Sequence, residues 1–231
     1  MNEFEYIDRN LERIRTAAAE AAATSPNKDG YDILLATKYA TAEDINYAHS
    51  KGINKIGENR VQSLLEKYDK LDRDGLDIHF IGTLQKNKVK YIIDKVSMIE
   101  SLDSVSLAEE IEKQAAKKNI VMDCLIEVNI GDEEAKSGIS KSEVLSFAEE
   151  LDKFPHIRLC GIMTMAPKCE QIDEYRKYFK ESYNIFIDIC EKKLHNVYRQ
   201  VLSMGMSDSF SAALAEGANL VRIGRTAFKK E

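Results

Sequence analysis

The sequence predicts an α/β protein of the TIM type: one (β/α)8 barrel over residues 1–231, with no second domain. Three observations predict it. From Tyr31 onward, short apolar runs alternate with amphipathic stretches, the pattern of right-handed βαβ crossovers and a parallel sheet. Eight such units fit into about 200 residues, which favours a closed barrel over an open doubly wound sheet. No internal repeat, linker or low-complexity tract divides the chain.

The elements follow in order. Residues 4–22 form a helix, because Phe4, Ile7, Leu11, Ile14 and Ala18 recur at spacings of three and four and share one face. The stretch Ser25-Pro26-Asn27-Lys28-Asp29-Gly30 ends it with turn chemistry. The eight strands are read as Ile33–Thr37, Ile53–Gly57, Ile78–Gly82, Met98–Ser101, Met122–Ile130, Arg158–Met163, Gln200–Met204 and Leu220–Ile223. Seven helical patterns lie between them. One places Leu107, Ile111 and Ala115 on one side; another places Tyr175, Phe179, Tyr183, Phe186, Ile187 and Cys190 together. Capping boxes are expected at Thr41/Asp44, Ser106/Glu109 and Ser140/Glu143. After the eighth strand too few residues remain for a full helix, so the N-terminal helix is expected to cover that gap.

Bulk properties exclude several classes. Apolar residues make up 44 % of the 231-residue chain and charged residues 31 %, enough for a core and a solvated surface. A net charge of −6 argues against a nucleic-acid wrapper, which needs basic faces to neutralise phosphates. The basic run Lys86–Lys90 is local and reads as a solvated helix face. Cys124, Cys160, Cys169 and Cys190 lack metal-ligand spacing and read as reduced, mostly buried thiols. No apolar stretch approaches the ~20 residues that span a bilayer, and the start, with Glu3 and Glu5, lacks signal-peptide character. A cytoplasmic location is expected.

In this barrel class the functional groups sit at the carboxyl ends of strands, with phosphate often held after the seventh and eighth. Lys38 directly follows the first strand. Partial desolvation or neighbouring cations would give it the free amine that forms an imine with a carbonyl. A lysine snorkelling to solvent is the alternative reading. After the seventh strand, Gly205 allows close backbone approach, Ser203 and Ser207 offer hydroxyls, and a helix start suits a phosphate dianion. Ser207 or Asp208 as a plain cap is the alternative. After the eighth strand, Gly224 exposes backbone N–H groups and Arg222 can point inward as a fixed cation. A surface salt bridge is the alternative for both arginines and the favoured one for the Arg225 side chain. Taken together, an imine-forming lysine and two phosphate-binding loops at one mouth describe a pyridoxal 5′-phosphate pocket.

Six ordered blocks carry a resemblance: Gly57–Gln62, His79–Lys88, Glu100–Ser104, Gly161–Met165, Leu202–Ser207 and Arg222–Gly224. Through them the chain resembles the pyridoxal phosphate homeostasis protein family, a single-domain relative of the alanine racemase barrel, over nearly its whole length. The resemblance implies that Lys38 forms the internal aldimine and that Arg222 faces the pyridine nitrogen. An arginine there keeps the nitrogen unprotonated and weakens the ring as an electron sink. It further implies that the phosphate is met by Ser203 or Ser207 and by the backbone N–H groups of Gly224 and Arg225. Asn59 would lie near the ring, with a self-satisfied turn residue as the alternative. Lys136 matches a family lysine that would offer a secondary amine; a solvated loop lysine is the alternative. Glu58 reads first as the partner of a nearby arginine such as Arg60, and His79 as a satisfied core histidine. Two departures touch the rim: Phe228 is followed by Lys229-Lys230-Glu231, and Tyr39-Ala40-Thr41 stands where relatives usually carry a further lysine and a proline.

Racemases of this type need a second base on the opposite ring face, supplied by an additional β domain, and the barrel uses all the residues of this chain. The expectation is therefore a cofactor-binding protein, not an enzyme, that buffers pyridoxal phosphate or delivers it to apo-enzymes. It is expected to act as a cytoplasmic monomer with neither nucleic acid nor membrane as a partner. Three rivals stand beside it: a pyridoxal phosphate enzyme of low activity on an amino acid, a cofactor-free Schiff-base aldolase using Lys38, and a protein-interaction module.

Overall fold

A computed structural model describes residues 3–133, 137–192 and 200–230. Its strands are β1 (Asp32–Ala36), β2 (Lys55–Glu58), β3 (Asp77–Phe80), β4 (Met98–Leu102), β5 (Met122–Asn129), β6 (Ile139–Ser140), β7 (Ile157–Thr164), β8 (Val201–Ser203) and β9 (Leu220–Ile223). All pairings are parallel. The order β4-β3-β2-β1-β9-β8-β7-β5 closes on itself through β4–β5, giving the expected eight-stranded barrel. The two-residue β6 was not foreseen. It pairs with the end of β5 outside the ring, Val128 opposite Ile139, and is too short to leave a periodicity.

Helices α1 (Glu5–Ala22), α2 (Ala42–Ser50), α3 (Val61–Tyr68), α4 (Val89–Ile92), α5 (Val105–Lys118), α6 (Val144–Leu151), α7 (Ile172–Glu191), α8 (Phe210–Ala215) and α9 (Arg225–Phe228) surround the barrel. Their inward faces and the outward faces of the strands make the main core. Two smaller apolar clusters lie inside the barrel, one of Leu34, Ile81 and Leu220, the other of Met98, Leu125, Cys160 and Met163. No helix among the described residues is long and apolar enough to cross a membrane.

Helix α1 packs against α8, α9 and α2, the place an eighth barrel helix would fill. Ile7, Leu11, Ile14 and Ala18 are buried as their spacing requires, while Phe4 stacks on Tyr47 at 4.6 Å. The capping box at Thr41 is complete. The other two boxes do not form. Ser106 lies inside α5, whose N-cap is Ser104. Ser140 donates its hydroxyl to the Glu143 carboxylate and caps no backbone N–H, because a 3-10 turn intervenes before α6. In α7 the buried side is Phe179, Ser182, Phe186 and Ile189, so Tyr183 and Ile187 flank the core instead of filling it.

One irregularity shapes the lumen. Between β5 and β7, Cys124 pairs with Leu159 but Leu125 pairs with Gly161, leaving Cys160 as an extra residue on β7. Gly161 has φ +135°, and a Cβ there would lie 2.0 Å from the carbonyl oxygen of Val201. Only glycine fits this bulge.

Candidate functional site

The carboxyl ends of β1, β2, β8 and β9 converge on one cavity of ≈ 510 Å³, lined among others by Lys38, Asn59, Ser207, Arg222, Gly224 and Arg225. Six residues proposed from the sequence to hold the cofactor therefore line one cavity. Lys38 leaves the end of β1 with its ammonium 4.9 Å from the ring centroid of Tyr39, a ring that is 82 % exposed at the rim. Asn59 follows β2 and is half-buried. Ile81, Met165 and Met206 give the cavity an apolar face, which suits a flat heteroaromatic ring better than a sugar phosphate alone.

The loops after the neighbouring strands β8 and β9 touch each other at the edge of the cavity. Gly224 precedes α9, and the backbone N–H of Thr226 reaches Ser207 Oγ at 3.5 Å. The first N–H groups of a helix have no carbonyl within it to serve, so they suit an anion. Arg225 pairs with Asp208, which is the surface salt bridge favoured for its side chain. Ser209, not Ser207 or Asp208, occupies the N-cap position of the helix after β8, and its hydroxyl accepts from the backbone N–H of Met206 without capping the helix. Gly205, with φ +88°, is needed because a Cβ would lie 2.5 Å from the Ala213 Cβ; its close approach is to α8.

Ser203 is the exception. It is buried at the end of β8 and does not line the cavity. Its hydroxyl accepts from Arg222 Nη1 at 2.6 Å and donates to Glu100 Oε2 at 2.6 Å, so both its capacities are used inside the barrel. Of the two serines, the fold brings Ser207 to the cavity. Lys136 lies outside the described residues.

Arg222 forms the floor. It is 4 % exposed, and Nη2 donates to the carbonyl of Thr164 at 2.9 Å. Burial pulls its pKa below the ordinary guanidinium value, while the charges of Glu100 and Glu127 oppose that. Glu100 also meets His79, Nδ1 to Oε1 at 2.6 Å. Burial would raise the Glu100 carboxyl, but the hydrogen bond and charge of His79, the charge of Arg222 and the Ser203 hydroxyl hold it below the usual carboxylate range. His79 is thus a satisfied interior histidine, as expected, though its partner was not foreseen. The signal was present: an ionisable residue interrupts β4, a strand buried along its whole length.

Glu58 corrects another expectation. Its Oε1 accepts from Lys67 Nζ at 2.5 Å and from Thr37 Oγ1 at 2.6 Å, and Lys67 donates also to the carbonyl of Thr37 at 2.8 Å. The pairing with Arg60 does not occur because α3 turns Lys67 back over the strand ends. The result is a buried brace under the residue preceding Lys38.

Comparison with known proteins places this geometry. Residues 4–230 match the family described as alanine racemase, N-terminal domain. The chain is 41 % identical to the pyridoxal phosphate homeostasis protein of Aquifex aeolicus (strain VF5) over 228 residues, covering 99 % of this chain and 98 % of that protein. A crystal structure of an unknown protein from Bifidobacterium adolescentis superposes with a TM-score of 0.87 at 30 % identity, over 97 % of this chain and 94 % of the other. PipY of Synechococcus elongatus PCC7942, solved without PLP, superposes with a TM-score of 0.85 at 25 % identity, over 96 % of this chain and 100 % of that one.

Proposed function

The chain belongs to the alanine racemase N-terminal domain family and, within it, to the pyridoxal phosphate homeostasis proteins, and from that premise we propose that it holds pyridoxal 5′-phosphate at the C-terminal mouth of its barrel and helps to maintain the cellular supply of the cofactor. One observation carries the reading: an amine, a buried cation, a hydroxyl and two glycine-bearing loops, drawn from separate strands, line one cavity with an apolar face.

The residues fit what the cofactor demands. When bound, pyridoxal phosphate supplies an aldehyde that condenses reversibly with a primary amine. Lys38 offers that amine at the rim, where an incoming amine can displace it. Ser207 and the backbone N–H groups of Gly224 and Arg225 would take the phosphate. Arg222 would meet the ring nitrogen as a donor and keep it unprotonated, and Asn59 would border the ring.

A carrier role is favoured over racemisation by the composition of the wall. The carboxylate that lines the cavity among the described residues is Asp208, and it is committed to Arg225. A proton shuttle across two ring faces needs two positioned bases. In this reading the protein works as a monomer in the cytoplasm, with apo-enzymes that require the cofactor as recipients.

The test is direct. Purified protein mixed with pyridoxal phosphate and reduced with borohydride should carry one pyridoxyl group on Lys38, mapped by peptide mass spectrometry. Lys38→Ala should remain folded and lose the label. Labelling elsewhere with Lys38 untouched would overturn the assignment. Exchange of an amino acid's α-hydrogen with solvent at a catalytic rate would replace the carrier by an enzyme.

A further inference from the structure

The lumen of this barrel is crossed by a line of polar side chains that joins its two ends. At the N-terminal end a second cavity of ≈ 350 Å³ is bordered by Asp32, Lys55, Leu220 and His79, and the first three stand at or near the starts of their strands. At the C-terminal end Arg222 lines the cavity described above. Between them run three contacts of 2.6 Å: His79 Nδ1 to Glu100 Oε1, Ser203 Oγ to Glu100 Oε2, and Arg222 Nη1 to Ser203 Oγ. Strands β3 and β4 supply one half and β8 and β9 the other, so the line spans the barrel.

Its direction is fixed by donor capacity. A guanidinium can only donate, so Ser203 accepts from Arg222 and turns its own proton towards Glu100. With Glu100 ionised, His79 donates from Nδ1 to the other oxygen. Both carboxylate oxygens and both terminal nitrogens of Arg222 are engaged, and hydrogen bonds in such a chain polarise one another. Stability alone does not account for it. Barrels of this kind fill their lumen with branched apolar side chains, and buried charges replaced by apolar groups of similar volume often leave stability unchanged or higher.

We propose that Glu100 and His79 are positioning residues that set the orientation of Arg222, so that a change at His79, beside the lower cavity, is transmitted through the barrel to the floor of the upper one. Glu100 shares its negative charge between His79 and the Ser203–Arg222 pair. A change at His79 therefore alters the hold on Arg222 with no contact between the two. The consequence for bound pyridoxal phosphate rests on the function proposed above; the transmission itself does not.

Two measurements on the full chain separate these. In cofactor-free protein, the guanidinium nitrogen resonances of Arg222 should shift on His79→Gln, and this shift should vanish when His79→Gln is made on a Glu100→Gln background. Unmoved resonances, or an equal shift without the carboxylate, would overturn the proposal. With pyridoxal phosphate added, Glu100→Gln should change the absorbance maximum of the bound cofactor and release it roughly tenfold faster, the scale of one lost hydrogen bond. An unchanged spectrum and release rate would equally overturn it. Should Glu100→Gln fail to fold, Ser203→Ala removes the bridging hydroxyl and leaves the 3.9 Å ion pair of Arg222 Nη1 with Glu100 Oε2, so it should diminish the arginine shift without abolishing it; an undiminished shift would overturn the proposal. If wild-type protein binds no pyridoxal phosphate, the proposed function fails while the arginine resonances still decide the transmission.

Discussion

The side-chain amide of Asn10 donates to the carbonyl of Ala227 at 3.1 Å, and the same nitrogen reaches the carbonyl of Lys229 at 3.0 Å. The first helix thereby holds the last turn of the chain, and Phe228 and Lys229 of that turn line the cavity at the barrel mouth. A residue more than two hundred positions away in sequence fixes one wall of the site.

Asn10→Ala should therefore act at two levels. Two carbonyls lose their donor, which costs about 1–2 kcal/mol, read as a lower denaturant midpoint at unchanged slope. Pyridoxal phosphate should also leave several-fold faster in a dilution experiment. A variant less stable but equally retentive would show that the C-terminal turn has no part in holding the cofactor.

The brace of Glu58, Thr37 and Lys67 lies just behind Lys38. Lys67→Met leaves the Glu58 carboxylate buried without a counter-charge, and Oε2 already has no partner. Removing one member of a buried pair costs about 3 kcal/mol or more, whereas neutralising both is far milder. The double variant Glu58→Gln/Lys67→Met should then be more stable than Lys67→Met alone in urea titration. The reverse order would place the main energy in packing of the lysine stem.

The sequence disclosed what repeats and concealed what is paired across the barrel. Short apolar runs between amphipathic stretches located all eight barrel strands, and a stripe every three or four residues located the inward face of α1. The sequence also pointed to Lys38, Ser207 and Gly224, since strand ends are where such a barrel places its chemistry. It did not separate Ser203 from Ser207. Both are small hydroxyl residues four positions apart at one strand end, and only the closed ring shows that Ser203 is committed to Arg222 and Glu100. Lys67 replaced Arg60 as the partner of Glu58 for a similar reason: nearness in sequence is not nearness across a helix turn. The bulge at Cys160 shifts a register by one residue, and alternation cannot register an insertion that glycine at 161 absorbs.

Tyr6 and Asp44 tie α1 to α2 through a hydroxyl that donates to Oδ1 at 2.6 Å, while Oδ2 accepts from the backbone of Thr41 at 2.9 Å. Burial raises the Asp44 carboxyl, but these donors together with Lys230 outweigh it and leave its pKa below the ordinary value. A depressed folded-state pKa contributes stability that is present above the unfolded value and lost as pH falls through the folded one. Tyr6→Phe should cost about 1–2 kcal/mol at neutral pH, with the difference from wild type shrinking below pH ~4. Calorimetric scans across that range should show two curves that converge on acidification; parallel curves would mean that the ring's packing, not its hydroxyl, is what counts.

Glu127 predicts the opposite pH dependence. Its carboxyl is buried near the mouth of the barrel and accepts from Ser137 Oγ at 2.6 Å. Burial pushes its pKa up, the Ser137 hydroxyl and the Arg222 charge pull against that, and Asp103 adds to the rise. When the folded-state pKa is the higher one, the fold binds more protons than the unfolded chain between the two values. Stability is then fully present below the unfolded pKa of ~4.3 and is lost as pH rises through the folded one. Glutamine reproduces the neutral acid and keeps an oxygen for Ser137 to donate to. Glu127→Gln should therefore stabilise the protein at pH 7 and match wild type at pH ~4, measured as denaturant midpoints at the two pH values. Equal stabilisation at both would assign the effect to packing, and a loss at pH 7 would mean that the ionised carboxylate, held by Arg222, is the form the fold requires.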